Sequence, residues 1–298
     1  MRQITIRRQG EVYIEGDISY TGHVRPKEQA KVSVEIKNTL FLCEDGEVIT
    51  GGIESCYLKC HVSAIHQLGQ ATSPLDCWLD IAFSLMVDEE TAAININLPE
   101  KYCEDVILQS PRSGKSGAIT LTCTAYMKVI EAGRPIYQFT SQEKFAIALD
   151  YKNLGISLYK DKSRLSQITA FSKFCDAVRW LVMIEKDNAS DFAGEILMIK
   201  ARCYNNIALH HLHESHFNLA VAAATRVLLL DDKNVKALYR RAVANAELQN
   251  YEVALSDIQA AMVLEPGNKT VKQYEVVIKG RQKSVSRKYA AAMKQYFL

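Results

Sequence analysis

Three things are scarce in these 298 residues: net charge, long apolar runs and paired cysteines. The formal charge is only +2. That is too little for a protein whose main partner is nucleic acid, because phosphate binding demands a basic surface. No uninterrupted apolar run approaches the roughly 20 residues that cross a bilayer. The first ten residues, MRQITIRRQG, lack the apolar stretch of a secretion signal. The expectation is a soluble intracellular protein, cytoplasmic and with the nucleus also open to it. Eight cysteines are present (Cys43, Cys56, Cys60, Cys77, Cys103, Cys123, Cys175 and Cys203), none in a CxxC pair. Such scatter argues against a zinc site or a disulfide framework and for buried reduced thiols. No metal and no cofactor is expected.

What is present is ordinary in amount and informative in order. An apolar fraction of 48% and a charged fraction of 23% suit globular protein, and the length suits two domains with a core each. The pattern changes near residue 135. Before it, apolar residues alternate: Val32, Val34 and Ile36 in KVSVEIK, then Ile94, Ile96 and Leu98 in ININLP. Ile119, Leu121, Cys123, Ala125 and Met127 do the same in ITLTCTAYM. Period two with one apolar face predicts half-buried strands of a largely antiparallel sheet. Between them PLDCWLDIAFSLM predicts a short amphipathic helix covering that sheet. After Pro135 the pattern is helical, starting at the capping box TSQE, Thr140 to Glu143. The expected domains are 1–135 and 136–298.

The helical part repeats. CYNNIALHHLHESHFNLAVAAATRVLLLD aligns without gaps on ALYRRAVANAELQNYEVALSDIQAAMVLE, so Ala208 meets Ala242, Phe217 meets Tyr251, Ala220 meets Ala254, and Leu230 meets Leu264. Each pair is 34 residues apart (242 − 208), the period of the tetratricopeptide helix–turn–helix unit. Small residues belong where two helices cross closely, and the aromatic belongs at the turn. Pro266 takes the repeat's closing proline position, and Asp232 stands there in the preceding repeat. A first repeat lies upstream, with Leu154, Gly155 and Leu158 on its first helix, and Ala170, Phe174 and Ala177 on its second. Three repeats are about the minimum that buries a continuous core. The tail from Asn268 then predicts a long amphipathic capping helix.

Several motifs carry less than they suggest. HHLHESH, 210–216, does not converge as a ligand set: His211 falls at a packing position, His213 at the groove and His216 near the turn. SGKSG, 113–117, has Gln109 where a phosphate loop needs glycine. Asn188 and Asn268 are glycosylation acceptors only in a secreted chain. The basic and apolar tail, with Lys279, Arg281, Lys283, Arg287 and Lys288 beside Val277, Ile278, Val285, Tyr289 and Met293, has the pattern of a calmodulin target. A capping helix with a wet basic face is the preferred interpretation.

The two halves together resemble immunophilins of the FKBP class that carry three tetratricopeptide repeats. The junction ITLTCTAYMKVIEAGRPIYQFTSQEKF resembles the family's passage from last strand to first repeat. RRA, VRWL and RKYAAAM resemble family segments over 140–298, and the likeness is weak before about residue 55. WLDIAFSLMVDEETAAININLPEKYCED resembles the family's pocket-floor helix, the strand after it and the corner that ends in Tyr102. The resemblance implies an α+β fold: an antiparallel-sheet FKBP-like domain, then an all-α domain of three tetratricopeptide repeats with a C-terminal capping helix. The catalytic cup departs from the family. Leu79 stands at the floor tryptophan position with Trp78 shifted by one, and Leu75 and Asp76 replace an aliphatic pair. A charge at Asp76 in an apolar cup is costly without a partner. The expectation is the fold without the isomerase.

In KALYRRA, 236–242, Lys236 and Arg240 share a helix face while Arg241 points elsewhere. In chaperone-binding members of the family, groove residues clamp the C-terminal carboxylates of the ninety-kilodalton heat-shock chaperone. Residue by residue, the resemblance assigns that clamp to Lys152, Asn206, Lys236 and Arg240, with Ile156 in place of the first-repeat asparagine. Losing that asparagine forfeits a hydrogen bond of about 1 kcal/mol. Within the family, the length and the degenerate first domain are most similar to a member that associates with a casein-kinase-I-type kinase of the circadian clock. The resemblance therefore implies a non-catalytic adaptor or co-chaperone with a protein kinase client, and with no nucleic acid or membrane among its partners. The alternative is an active peptidyl-prolyl isomerase. A third reading has the repeats grip the client's own surface.

Overall fold

A computed structural model describes residues 2–6, 12–15, 25–43, 48, 55–59, 64–98, 119–161, 163–184 and 193–296. Tyr102, the SGKSG segment, Asn188, Cys60 and Cys103 lie outside the described residues. The chain forms two compact units, Met1–Lys144 with Asn153–Ser172, and Phe145–Lys152 with Lys173–Leu298.

The first unit is built on a six-stranded sheet of order β2-β1-β5-β6-β3-β4. Its strands are β1 (Arg2–Ile6), β2 (Val12–Glu15), β3 (Lys31–Cys43), β4 (Ala64–Gln67), β5 (Glu90–Leu98) and β6 (Ile119–Glu131). The alternation seen in the sequence is the alternation in the structure: in β6, Ile119, Leu121, Cys123, Ala125 and Met127 are buried while the residues between them are half exposed. The antiparallel expectation needs one correction. β1 runs parallel to β5, with Ile4 opposite Ile94 and Ile6 opposite Ile96, so the sheet is mixed. β1 carries only two buried apolar residues, too short a run to register as a strand before its neighbours are known. A parallel pair needs a long crossover, and here the chain between residues 6 and 90 supplies it.

Helix α2 (Pro74–Leu85) closes the core. Ser73 caps it by accepting from the Asp76 N–H at 3.1 Å, with Pro74 in the first turn. Leu75, Leu79, Ala82, Phe83 and, just past the helix end, Met86 follow a period of 3.6 and share one core with Ile4, Ile94, Leu98 and Leu121. Each large side chain so buried contributes about 1.5–3 kcal/mol. At the end of the sheet Gly133 has φ +71°, and a Cβ there would lie 2.4 Å from the Glu28 carbonyl oxygen. Only glycine fits both the angle and the space.

A short helix α1 (Cys56–Lys59) precedes α2, and the helical part of the chain follows: α3 (Ser141–Lys160), α4 (Arg164–Val182), α5 (Ala193–His213), α6 (Phe217–Leu230), α7 (Val235–Glu247), α8 (Tyr251–Leu264) and α9 (Lys269–Tyr296). The capping box is complete: Thr140 Oγ1 accepts from the Glu143 N–H, and Glu143 accepts from the Thr140 N–H. Ala208, Ala220, Ala242 and Ala254 are all fully buried, so the small residues do sit where helices touch. Ala170, Phe174 and Ala177 of the upstream repeat are buried as well. Consecutive helices pack from α5 to α9, and α5 also touches α7.

The 34-residue period extends to backbone detail. Ser215 and Gln249 both take positive φ, 58° and 64°. Beyond each, the chain closes the same bond, His216 N–H to His211 O and Asn250 N–H to Asn245 O, both at 2.8 Å. Asn234 caps α7 by accepting from the Ala237 N–H at 3.1 Å, and Asn268, 34 positions on, accepts from the Val271 N–H at 3.3 Å. Helix α9 therefore opens in the register of a fourth repeat, burying Val271 and Ile278 against α8.

Candidate functional site: a cationic groove on the repeats

A groove of about 430 Å³ opens between α5 and α7, lined by Arg202, Asn205 and Asn206 of α5, Val235, Lys236 and Arg240 of α7, and Asp231, Lys233, Asn234 and Glu265 from the turns. The period explains its form. Asn206 and Arg240 are 34 apart, as are Arg202 and Lys236, so successive helices present the same face side by side. Three of the four expected clamp residues, Asn206, Lys236 and Arg240, thus meet in one groove. Lys152 is not among its lining. It lies on α3, near enough to Cys203 of α5 to favour that thiol's ionised form, although burial dominates and pushes the thiol up to about 12. Ile156, one turn along α3, is 39% exposed.

Hydrogen bonds hold the groove wall in shape. Arg240 Nη1 donates to the Asn205 carbonyl oxygen at 3.0 Å and to Asn205 Oδ1 at 2.9 Å. The Asn205 amide donates to Asn234 Oδ1 at 3.1 Å, and Asn234 donates to Asp231 Oδ2 at 2.9 Å. Asn205 is buried, so the inner end of this chain is partly shielded from water, while its Asp231 end is exposed. Among the described residues, Lys233 and Lys236 make no hydrogen bond or ion pair. Both acidic members of the lining are engaged by neutral amides, Asp231 by Asn234 and Glu265 by Asn268 at 2.8 Å. These carboxylates keep their charge, but the four cations of the lining, Arg202, Lys233, Lys236 and Arg240, outnumber them, so the groove is net positive and suits an anion.

Arg241, as its spacing requires, points away from the groove. Its guanidinium forms a two-bond fork on Asp257 of α8, at 2.8 and 2.7 Å, and a longer bond to Thr225 of α6.

No family model matches the chain. The chain is similar to FK506-binding proteins. FK506-binding protein 59 of Drosophila melanogaster is 30% identical over 165 residues, 54% of this chain and 36% of that protein. Human peptidyl-prolyl cis-trans isomerase FKBP4 is 26% identical over 171 residues, 57% of this chain and 36% of that one. The matched part thus spans about a third of the length of these curated relatives. Among solved structures, the C-terminal TPR-containing domain of a Plasmodium falciparum FK506-binding protein gives a TM-score of 0.48 at 26% identity, over 51% of this chain and 99% of that domain. The direct comparison and the motifs agree at the level of FK506-binding proteins, and the comparison does not extend to the kinase-associated member.

The residues expected at the isomerase cup lie elsewhere in character. Leu79 is wholly buried in the core and Trp78 packs partly buried against it. Asp76, 1% exposed, is not without partners: Ser55 Oγ donates to it, and so does the Cys56 N–H at 2.8 Å. Asp80 accepts from the Tyr57 hydroxyl and from the Gly69 N–H at 2.8 Å. Burial and the Asp80 carboxylate push the Tyr57 phenol far up, so it stays protonated and donates. The His66 ring lies 4.3 Å from that of Tyr57. Position alone could not reveal these partners, because Ser55 and Tyr57 stand some twenty residues before the carboxylates they bind.

The histidine-rich turn places His211 between His210 and His216, with ring centroids 5.8 and 6.0 Å away. Burial and its neighbours lower His210 to about 4. Among the described residues no three of His, Cys, Asp and Glu are grouped to hold a metal. Arg202, Lys233 and Asn205 were absent from the expected clamp. The repeat alignment held a signal for Arg202, which falls on Lys236, but none for the other two.

Proposed function

We propose that this protein is an adaptor whose repeat groove holds the C-terminal carboxylate of a partner peptide, with Asn206, Lys236 and Arg240 as the contacts and Lys152 as a more distant cation. What supports this most is that the three residues share one groove in which, among the described residues, Lys236 forms no ion pair. Arg240 offers a planar fork that suits a carboxylate, and lysine a point charge. The acidic C-terminus of a ninety-kilodalton heat-shock chaperone is the ligand the family resemblance implies. A protein kinase client, of casein-kinase-I type and linked to the circadian clock, is the proposed cargo. Cytoplasm, with access to the nucleus, is the proposed location.

Calorimetric titration of an acidic chaperone C-terminal pentapeptide is the test. Micromolar binding, about 8 kcal/mol, weakened at least tenfold by Arg240→Ala, is expected. No heat from the wild-type protein would overturn the carboxylate reading and leave the α5–α7 face as a surface for the client.

A second reading, an active prolyl isomerase, is favoured by the name of the relative FKBP4. Against it stand a buried aliphatic at Leu79 and a buried carboxylate at Asp76. A protease-coupled assay on a proline tetrapeptide decides it: turnover abolished by a macrolide would establish the enzyme.

A further inference from the structure

Away from the groove, α8 turns a ridge to solvent. Val253, Ser256, Ala260 and Val263 are all exposed, Val263 at 79%. They follow one another by three, four and three residues, the spacing at which one helix seats against another. Ala254, Ile258 and Ala261, on the inward face of α8, are buried together with Val271 and Ile278 of α9. Ser256 and Ala260 are small, so a second helix can come close between the two valines. Glu252 stands at one end of the ridge and Glu265 just past the other, both exposed, and α8 holds no basic residue. Helix α6 repeats these positions 34 residues earlier as Leu219, Ala222, Arg226 and Leu229. There Arg226 puts a cation into the seam, so the α8 ridge alone suits a basic helix.

The chain carries a helix end that matches. On α9, Val271, Ile278, Val285 and Ala292 stand seven apart. The first two are buried against α8, but Val285 is only half-buried, and Tyr289 and Met293 beyond it are 67% and 57% exposed. The apolar face thus runs on past the helix that covers it. From Val285 to the end of α9 is about 17 Å, and the ridge from Val253 to Val263 is about 15 Å. After Glu275 the sequence has Lys279, Arg281, Lys283, Arg287, Lys288 and Lys294, and no acid. Among the described residues Lys283, Arg287 and Lys288 form no ion pair. Two such ends would repel each other, whereas a ridge bracketed by carboxylates attracts one.

We infer that the end of α9, from Val285 on, docks on the α8 ridge of a second copy of this chain. Each copy has one ridge and one free helix end. A two-fold arrangement therefore satisfies both contacts at once and closes as a dimer. Tyr289 and Met293 are the side chains that insert, and the low ground over Ser256 and Ala260 receives them. Asn206, Lys236 and Arg240 take no part, so the dimer stands or falls independently of the carboxylate reading.

Sedimentation equilibrium of the full chain, from about 1 to 300 μM, tests this. The wild type should pass from one chain to two across that range. Ala260→Lys places a cation in the ridge, and Tyr289→Glu places a carboxylate in the free end. Both positions are exposed, so the variants are expected to fold, and unchanged thermal unfolding at the lowest concentration checks it. Each variant should weaken dimerisation about tenfold or more. An equimolar mixture of the two should recover part of the loss, because a mixed pair keeps one intact contact. A wild type that stays a single chain throughout would overturn the dimer and leave the free end to a different acidic partner. A dimer that neither variant weakens, or a mixture no better than its parts, would overturn this contact.

Discussion

Arg240 and Arg241 are neighbours in sequence with opposite fates, and the residues they meet decide which. Arg240 is tied to Asn205, whose own amide is anchored on the cap of α7. Asn205 is therefore a positioning residue for the groove. Asn205→Leu should weaken peptide binding severalfold in the wild type and not at all in an Arg240→Ala background, as a double-mutant cycle would show. Backbone geometry offers a second prediction at this scale. Ser215 and Gln249 take positive φ where glycine is at ease. Ser215→Gly and Gln249→Gly should each raise stability by about 0.5–1 kcal/mol in urea denaturation. Gly133→Ala should do the reverse and more strongly, because its Cβ would collide with backbone that cannot yield.

At the scale of elements, the Arg241–Asp257 fork joins α7 to α8. Its ends are unequally covered: the Arg241 side chain keeps 25% of its exposure and that of Asp257 only 6%. Removing the arginine strands a buried carboxylate, whereas removing the aspartate leaves a guanidinium that can reach water. Arg241→Ala should therefore cost about 3 kcal/mol, and Asp257→Ala less. The start of α3 is governed by a different charge. Arg134 and the Thr140 N–H hold the Glu143 carboxyl down at about 2. A group depressed in the folded state stabilises above its unfolded value, near 4.5, and that contribution is lost as pH falls toward 2. Unfolding followed from pH 5 to pH 2 should show a loss that is smaller in Glu143→Gln. An equal loss in both would remove Glu143 from the acid response.

At the scale of the whole chain, each unit closes its own core, and the last helix does so for the repeats. Val271, Tyr274 and Ile278 cover α8, and Arg281 reaches Glu247 of α7 at 2.7 Å. Beyond that point the described side chains are mostly exposed, Tyr289 and Met293 among them. A chain ended after Ser284 should melt within a few degrees of the full one, while one ended at Asn268 should lose the array's cooperative transition. Either departure would show up in scanning calorimetry.

Periodicity alone determined a good deal. Strands β3, β5 and β6, helix α2, the capping box at Thr140 and the 34-residue repeat all follow from spacing, because local geometry sets the period of burial. The repeat register also brought Asn206, Lys236 and Arg240 together on paper, since translation by one repeat preserves the face. Other features waited for the fold. β1 pairs in parallel with a strand nearly ninety residues away, and two isoleucines cannot announce that. Ser55 satisfies Asp76, whose charge looked costly in an apolar cup, and Tyr57 satisfies Asp80. Asn205 turns from a repeat position into the anchor of Arg240 only when α5 and α7 lie side by side. Spacing along a chain reports which face a residue shares. Which partner satisfies its charge depends on what the tertiary structure carries to that face.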